Sequence, residues 1–447
     1  ILALLAGACA PAPADEPVQE EAAPVEEAAP AEEEEAAEEE EVSMEPVTIQ
    51  VFYPVAVDAP IAAILNGYIA EFQAEYPYIT VEPVFSGGYG DVQTAISTTI
   101  DGGGEPPALG VMLATALYDL INADYIAPLD GYIAEMDGGD AYLADFLPAF
   151  LANSYSDDQL WSIPFQRSAV VMYYNVDMFN AAGLESPTSW QSWAEDAQLL
   201  TTQEGDATNW GLQFPSGWPY WLFQPLAIGN GQNILNDDCT VVFDDPAVVE
   251  AVQYYIDLSA VYGAMPAGVQ AVWPTATTDF ASGSTAMIVH SSGSLTGIMD
   301  QAEFEVGVMP YPGKEIDTFA SVPGGGNFYI LKGASQEKQD AAWKFVEFIS
   351  RPEYVADYSI NTGYIANRAS AYDTEAMQNY VAGVPQALST RDALQYAGAE
   401  LATQNLGQVR GIFHDYIQRA FNGEMSAVDA MAAAQAEADA ALADFCP

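Results

Sequence analysis

The stretch PSGWPYW carries two tryptophans, Trp218 and Trp221, beside Gly and Pro residues that favour turns. An indole face can stack on the apolar C–H face of a sugar or of glycerol and exclude water from the polar contacts around it. Core packing is the alternative for any of the eight Trp, but the flanking turn residues argue against burial of this pair in a helix. Both are therefore candidate ligand contacts, and Trp273 in AVWPTAT is a weaker one.

Two short stretches of small residues follow apolar segments that read as strands. SSGS spans residues 291–294 and GGG spans residues 324–326. Their backbone N–H groups can approach a ligand closely, although a tight turn is the simpler explanation of either stretch taken alone. Tyr89 in FSGGYGD and Tyr364 in NTGYIAN also lie beside glycines, where a phenol hydroxyl can point into a cleft.

Arg167, in PFQRSAVVMYYN, is the first Lys or Arg from the N-terminus of a chain with 10 basic and 64 acidic residues. A guanidinium can make a bidentate contact to a phosphate or to paired sugar hydroxyls. In so acidic a protein it can equally pair with a carboxylate. Both roles remain open from the sequence.

The elements that must position these residues alternate between strand and helix from residue 46 onwards. VTIQVFYP alternates apolar and polar residues, and IAAILNGYIAEFQAEYP has apolar residues at helical spacing. YITVEPVF, a Gly-rich loop and DVQTAISTTIDGG repeat this order. The alternation predicts an α/β fold with a largely parallel sheet and helices on its faces.

Several ordered segments resemble the extracellular solute-binding proteins of ABC importers, and most closely their glycerol-3-phosphate-binding branch. The resemblance covers residues 46–447, and the ordered set of segments is far more specific than any one of them. The segments are WSIPFQRSAVVMYYNVDMFNAAGLESPTSWQSW, PSGWPYW, ASGSTAMIVHSSGSL, VPGGGNFYILKGASQEKQDAAWKFVEFIS and NTGYIANRASAY.

This resemblance implies a two-lobed periplasmic-binding-protein-like fold that closes on a ligand in the cleft between the lobes. Three crossover segments join the lobes, and we expect them near Ile163 to Ser168, Val322 to Asn327 and Thr362 to Arg368. The expected lobe one is residues 46–165 plus 323–367, and the expected lobe two is residues 166–322 plus 368–447.

The resemblance also implies ligand contacts, carried over from matching positions to Ser168, Ser292, Gly325, Tyr89 and Tyr364. With Arg167, Trp218 and Trp221 they form the predicted site.

Two positions depart from the branch. A Glu of the branch corresponds to Ala114, and an Arg near the C-terminal helix corresponds to about Ala402, with Arg410 further on. The acceptor for a ligand hydroxyl and the positive partner for a ligand phosphate are then missing. Their absence favours a neutral solute.

The N-terminal sequence ILALLAGAC looks like the end of a bacterial lipoprotein signal, in which Cys9 becomes the lipidated first residue. We therefore expect residues 1–9 to be a truncated lipoprotein signal. Residues 10–45, almost wholly Pro, Ala, Glu and Val, are expected to form an acidic disordered tether. The sequence predicts an extracytoplasmic body that is lipid-anchored to the cell membrane.

Composition excludes several classes of function. The net charge of −54 argues against nucleic acid and anionic lipid as partners, and 49 of the 64 acidic residues lie outside residues 15–45. Two His, His290 and His414, are too few for a metal site, and no cofactor is expected. A disulfide between Cys239 and Cys446 and two free thiols remain equally open.

Together these features predict a monomeric lipoprotein that captures a sugar or related carbohydrate by lobe closure and delivers it to ABC permease subunits. The protein is not expected to be an enzyme. A protein that binds glycerol 3-phosphate or a glycerophosphodiester is the alternative within the class. A surface glycoside hydrolase is the alternative of another class, and it would need two carboxylates that face each other across the cleft. A purely structural surface protein would bind no small solute.

Overall fold

The computed structural model describes residues 45–57, 59–205, 207–236 and 240–445. The predictions for the signal, for the tether up to residue 44 and for Cys9, Cys239 and Cys446 lie outside the described residues. Within the described residues, no helix is both long enough and apolar enough to cross a membrane.

The strands are β1 Val47–Tyr53, β2 Ile79–Phe85, β3 Leu109–Leu113, β4 Tyr155–Ser156, β5 Gln159–Leu160, β6 Ile163–Asn175, β7 Thr202–Glu204, β8 Ala207–Asn209, β9 Met287–Ser291, β10 Val306–Met309, β11 Tyr311–Pro312, β12 Phe319–Ala320 and β13 Pro323–Ile330.

The helices are α1 Ile61–Glu75, α2 Tyr89–Asp101, α3 Leu117–Asn122, α4 Asp130–Glu135, α5 Gly139–Ala144, α6 Pro148–Leu151, α7 Val176–Ala182, α8 Trp190–Leu200, α9 Pro219–Gly229, α10 Pro246–Ala260, α11 Trp273–Ala281, α12 Leu295–Gln301, α13 Gln336–Ile349, α14 Pro352–Thr362, α15 Glu375–Gly383, α16 Gln386–Asp392, α17 Leu406–Phe421 and α18 Ala427–Leu442.

The main sheet has the strand order β10-β6-β13-β3-β1-β2, and β9 also pairs with β6. Only β1 with β2 and β1 with β3 are parallel; the pairings of β13 with β3, and of β6 with β13, β9 and β10, are antiparallel. The prediction of a largely parallel sheet is therefore wrong. The alternating β1-α1-β2-α2-β3 segment does form parallel pairs, but β6 and β13 cross the molecule in opposite directions.

Two large apolar cores lie at opposite ends of the long strand β6. The first core is built from residues between 49 and 165 and between 328 and 364, and the second from residues between 170 and 322 and between 401 and 442. Along β6, Phe165 belongs to the first core and Met172 to the second. β6 pairs with β13 over its first half and with β9 and β10 over its second half, so one strand serves both cores.

Three chain segments run side by side between these cores. β13 pairs with β6 from Pro323 opposite Ala169 onwards. The segment after α14 joins them, because the Ile365 N–H donates to the Arg167 carbonyl at 2.9 Å and the Asn367 amide donates to the Pro164 carbonyl at 2.9 Å. These are the three segments that the sequence predicts to be crossovers.

The glycines of β13 allow this close pairing. Gly325 has φ +97°, and a Cβ built there would overlap the carbonyl oxygen of Gln166 on β6. Only glycine adopts such a conformation at low cost.

We expect Gly325→Ala to lower the free energy of unfolding by about 1–3 kcal/mol from the backbone conformation alone, with the steric overlap adding to this. Urea denaturation measures the effect. Gly67→Ala is the matched control, since Gly67 lies exposed within α1 with no atom near its Cβ position, and it should gain up to about 1 kcal/mol. Equal effects of the two substitutions would contradict the steric explanation.

Candidate functional site

A cavity of about 280 Å³ lies where the two cores meet. Six of the predicted site residues line it: Tyr89, Ser168, Trp218, Trp221, Gly325 and Tyr364. Trp218 packs against both cores, and the other aromatic walls come from either side. The cavity is therefore an aromatic cleft between the two halves of the molecule.

Helix α9 carries Trp221 and the additional lining residue Tyr220. The prediction that neither Trp of PSGWPYW is buried in a helix is wrong for Trp221, which is 7% exposed within α9. Trp218 is only the residue that precedes the helix. Pro219 explains the difference, because a proline favours the first position of a helix as much as it favours a turn.

The indole of Trp221 is fixed by a hydrogen bond, since its Nε1–H donates to the Pro323 carbonyl at 2.8 Å. The start of α9 is fixed as well: the Tyr220 N–H, which has no partner within the helix, donates to Nε2 of His414 at 3.2 Å. Burial and the nearby Arg410 lower the pKa of His414 to about 4, so its ring is neutral and can accept this bond.

Two aromatic rings, one from each side of the cleft, pack against the glycines of β13. A Cβ at Gly324 would overlap the indole of Trp221, and one at Gly326 would overlap the ring of Tyr89. Gly325 itself lines the cavity. The sequence predicts that GGG lets a ligand approach the backbone, whereas two of its three positions leave room for aromatic rings of the protein.

Tyr89 and Tyr364 form a pair in the cavity wall. Their hydroxyl oxygens lie 3.2 Å apart, and Tyr89 is the first residue of α2 while Tyr364 follows α14. Burial raises the pKa of both phenols, so both stay protonated. Two linked hydroxyls offer a solute one donor and a choice of acceptors.

Trp273 lines the cavity next to Trp221, with ring centroids 6.5 Å apart and nearly parallel planes. His290 packs against Trp273 with ring centroids 3.7 Å apart. Burial lowers the pKa of His290 to about 3, so a neutral imidazole supports this indole.

Two predicted site residues do not line the cavity. Arg167 is fully buried; it donates to Asn327 at 2.9 Å and to Asn153 at 3.0 Å, and lies over the ring of Phe150. No carboxylate within the described part of the chain lies within ion-pair distance of it. Ser292 is also buried, and its hydroxyl accepts from the Ala169 N–H at 2.9 Å, while the neighbouring Ser291 lines the cavity.

Glu400, which no sequence pattern identifies as a site residue, lines the cavity and is 3% exposed. Its Oε2 is buried without a hydrogen-bond partner among the described residues. Burial raises the pKa of Glu400 to about 8, although Arg167 and Arg410 oppose the shift. Nothing distinguishes this residue among 64 acids in the sequence except its setting in AGAELAT, among small and apolar residues.

The cleft offers stacking surfaces and few charged groups. Aromatic faces dominate its walls, and among the described lining residues Glu400 is the single carboxylate and no side chain is basic. No group of His, Cys, Asp and Glu suited to a metal ion occurs among the described residues. The facing carboxylate pair that a glycoside hydrolase needs is not among the described lining residues.

Comparisons with known proteins define the class. Residues 67–386 match the bacterial extracellular solute-binding protein family, and the chain belongs to this family. The sn-glycerol-3-phosphate-binding periplasmic protein UgpB of Escherichia coli (strain K12) is 27% identical over 383 residues, which cover 80% of this chain and 85% of that protein. The corresponding protein of Yersinia enterocolitica is 25% identical over 403 residues, which cover 85% of this chain and 89% of that protein.

Solved structures confirm the two-lobed periplasmic-binding-protein fold. UgpB from Mycobacterium tuberculosis in complex with glycerophosphocholine has a TM-score of 0.78 at 22% identity, covering 90% of this chain and 99% of that chain. Maltose-bound MalE3 of T. maritima has a TM-score of 0.75 at 19% identity, covering 88% of this chain and 99% of that chain. The chain is therefore a solute-binding protein with an interlobe cleft.

Replacing the buried carboxylate should change how stability depends on pH. The raised pKa means that folded Glu400 keeps its proton between about pH 4.5 and about pH 8, where the unfolded chain has lost it. Stability from this group therefore falls as pH rises through that window. Arg167, Arg410, Tyr220 and Tyr329 are the titratable groups that interact with Glu400.

We expect the difference in melting temperature between Glu400→Gln and the wild type to increase in favour of the variant from about pH 5 to about pH 8. His290 and His414 titrate in both proteins, so their effects cancel in the difference. Thermal denaturation of the two proteins in parallel checks this, and a constant difference across the range would contradict it.

Proposed function

We propose that this protein captures a neutral sugar or related carbohydrate outside the cytoplasm and delivers it to the permease subunits of an ABC importer. The observation that supports this is a cleft walled by Trp218, Trp221 and Trp273, with Glu400 as its single carboxylate and no basic side chain among the described lining residues. Indole faces suit the C–H faces of sugar rings. The protein has no enzymatic role in this proposal.

A glycerol-3-phosphate or glycerophosphodiester ligand is the second candidate, and the similarity to UgpB proteins supports it. A phosphate group needs positive charge or several N–H donors. Arg410 is one candidate, since its guanidinium lies 5.9 Å from the ring centroid of Trp218. The absence of a basic side chain from the described lining makes this candidate the weaker one.

Lobe closure is the proposed mechanism, with the lobe boundaries predicted from the sequence. The separation of the first core from the second supports these boundaries. A small additional cluster packs Ala371 and Met377 against Val355 of α14, so the start of the last lobe-two segment contacts lobe one. Walls that the two cores contribute, such as Tyr89 and Trp273, would approach each other across the bound solute.

Two measurements on the natively expressed protein test this function. Native mass spectrometry should find a co-purified neutral carbohydrate, and small-angle scattering should show a smaller radius of gyration once solute-free protein binds it. Binding stabilises the folded state by about 2.7 kcal/mol at a hundredfold excess over Kd, so a thermal shift must accompany compaction. A bound solute that leaves the radius unchanged would refute closure, and release of reducing sugar from an oligosaccharide would favour the hydrolase.

The proposed location is extracytoplasmic, with a monomeric body held to the membrane by a lipid on Cys9 and an acidic tether over residues 10–45. The lipobox-like LLAGAC and the family membership support this location. In cells that express the chain behind a complete signal, Cys9→Ala should move the protein from the membrane to the soluble fraction. A variant that stays with the membrane, and a wild type without lipid mass, would disprove the anchor.

A further inference from the structure

Glu400 is an unusual member of the cavity wall because one carboxylate oxygen has no partner. Oε2 is buried without a described hydrogen-bond partner, and an unsatisfied buried acceptor is costly to a fold. Glu400 also lines a second cavity of about 450 Å³. Asn153 and Pro323 line this cavity too, but the tryptophans of the aromatic cavity do not. The aromatic cavity is therefore the one that combines the carboxyl group of Glu400 with stacking surfaces.

The backbone around Glu400 is held in place from both sides. The Gln224 amide donates to the Ala399 carbonyl at 2.7 Å, and the Leu401 N–H donates to Gln224 Oε1 at 3.1 Å. Asn233 donates to the same Ala399 carbonyl at 2.9 Å. Gln224 belongs to α9, the helix that carries Trp221, so one helix positions both the stacking surface and the carboxylate.

Two arginines act on the charge of Glu400 without using its oxygens. Arg167 and Arg410 favour the ionised carboxylate, against its burial. Neither makes an ion pair with it: Arg167 donates to Asn153 and Asn327, and Arg410 lies over Trp218. The pKa of about 8 leaves the solute-free carboxyl group mostly protonated at neutral pH. Solute hydroxyls that donate to its free lone pairs would favour the ionised form, which is a strong acceptor for them.

We infer that Glu400 determines the specificity of the cleft: its carboxylate accepts hydrogen bonds from hydroxyls of an uncharged solute and rejects phosphorylated ones. The inference rests on the proposed function and names the solute class of that site. A phosphate beside Glu400 would either meet its negative charge or keep the carboxyl group protonated, and both oppose the use of the carboxylate as an acceptor for solute hydroxyls. A cationic solute would be attracted by the carboxylate of Glu400, but the positive charges of Arg167 and Arg410 offset this attraction.

Glu400→Gln tests this inference, because it keeps the shape and removes the charge. Titration calorimetry at about pH 9, where a group with a pKa of about 8 is mostly ionised, would compare the wild type and the variant with maltose, tagatose, glycerol 3-phosphate and choline. We expect the variant to lose about 10- to 100-fold in affinity for the neutral sugar that the wild type binds best, the effect of losing a hydrogen bond to a charged group. Its selectivity against glycerol 3-phosphate should fall as well.

Glu347→Gln is the matched control, since Glu347 is a half-buried acid on α13, away from the cavity lining, whose pKa is likewise raised by burial. It removes one negative charge and should leave affinity and selectivity unchanged. Thermal denaturation of the solute-free proteins verifies that both variants fold.

Each outcome separates the inference from the proposed function. Sugar binding that is equal in wild type and Glu400→Gln would overturn the role of Glu400 and leave the sugar-binding function standing. Tightest wild-type binding of glycerol 3-phosphate or of choline would overturn the inferred solute class. Wild-type protein that binds none of the four probes would overturn both proposals.

Discussion

The cleft depends on three consecutive positions in β13 that have no side chain. Trp221 and Tyr89 occupy the spaces that Cβ atoms of Gly324 and Gly326 would fill, and Gly325 passes under the Gln166 carbonyl with a positive φ. Two rings from different cores therefore contact the same strand. That strand also pairs with β6, which extends into both cores. The backbone of β13 therefore sets the positions of both aromatic walls of the site. Any side chain in this triplet would displace a wall of the cleft or separate the paired strands.

Electrostatics in the cleft differ from those of the surface. The chain carries a net charge of −54, and basic surface side chains such as Lys314 and Lys332 form ion pairs with carboxylates. Arg167 and Arg410 have no described carboxylate at ion-pair distance, and both act on Glu400. Their charges lower the cost of burying the Glu400 carboxylate, while amides and an indole take up their contacts. The site thus keeps one acceptor available where a direct ion pair would have consumed it.

Local patterns in the sequence were enough to identify the α/β class and several candidates for the aromatic walls, whereas the positions of the crossovers remain a prediction from the resemblance to solute-binding proteins. Glycine-flanked Tyr364 and proline-flanked Trp218 do line the cavity, because turn residues bring aromatic side chains to the ends of elements. Turn chemistry misled the interpretation of Trp221, since Pro219 begins a helix. Arg167 and Glu400 show the limit: whether an isolated charge faces a cavity or an amide network depends on contacts between segments far apart in the chain. The mixed sheet was missed for the same reason, because the direction of a crossover strand is a tertiary property.

Helix α9 links the parts of the site that sequence patterns leave separate. Its first turn carries Tyr220 and Trp221, and its next turn carries Gln224, which holds the backbone on both sides of Glu400. A neutral His414 accepts from the first N–H group of this turn, which ties the helix to α17. The stacking surface and the hydrogen-bond acceptor are therefore parts of one rigid unit within the second core. When a solute stacks on that surface, the distance from its ring to the carboxylate is already fixed, so little further ordering of side chains opposes binding.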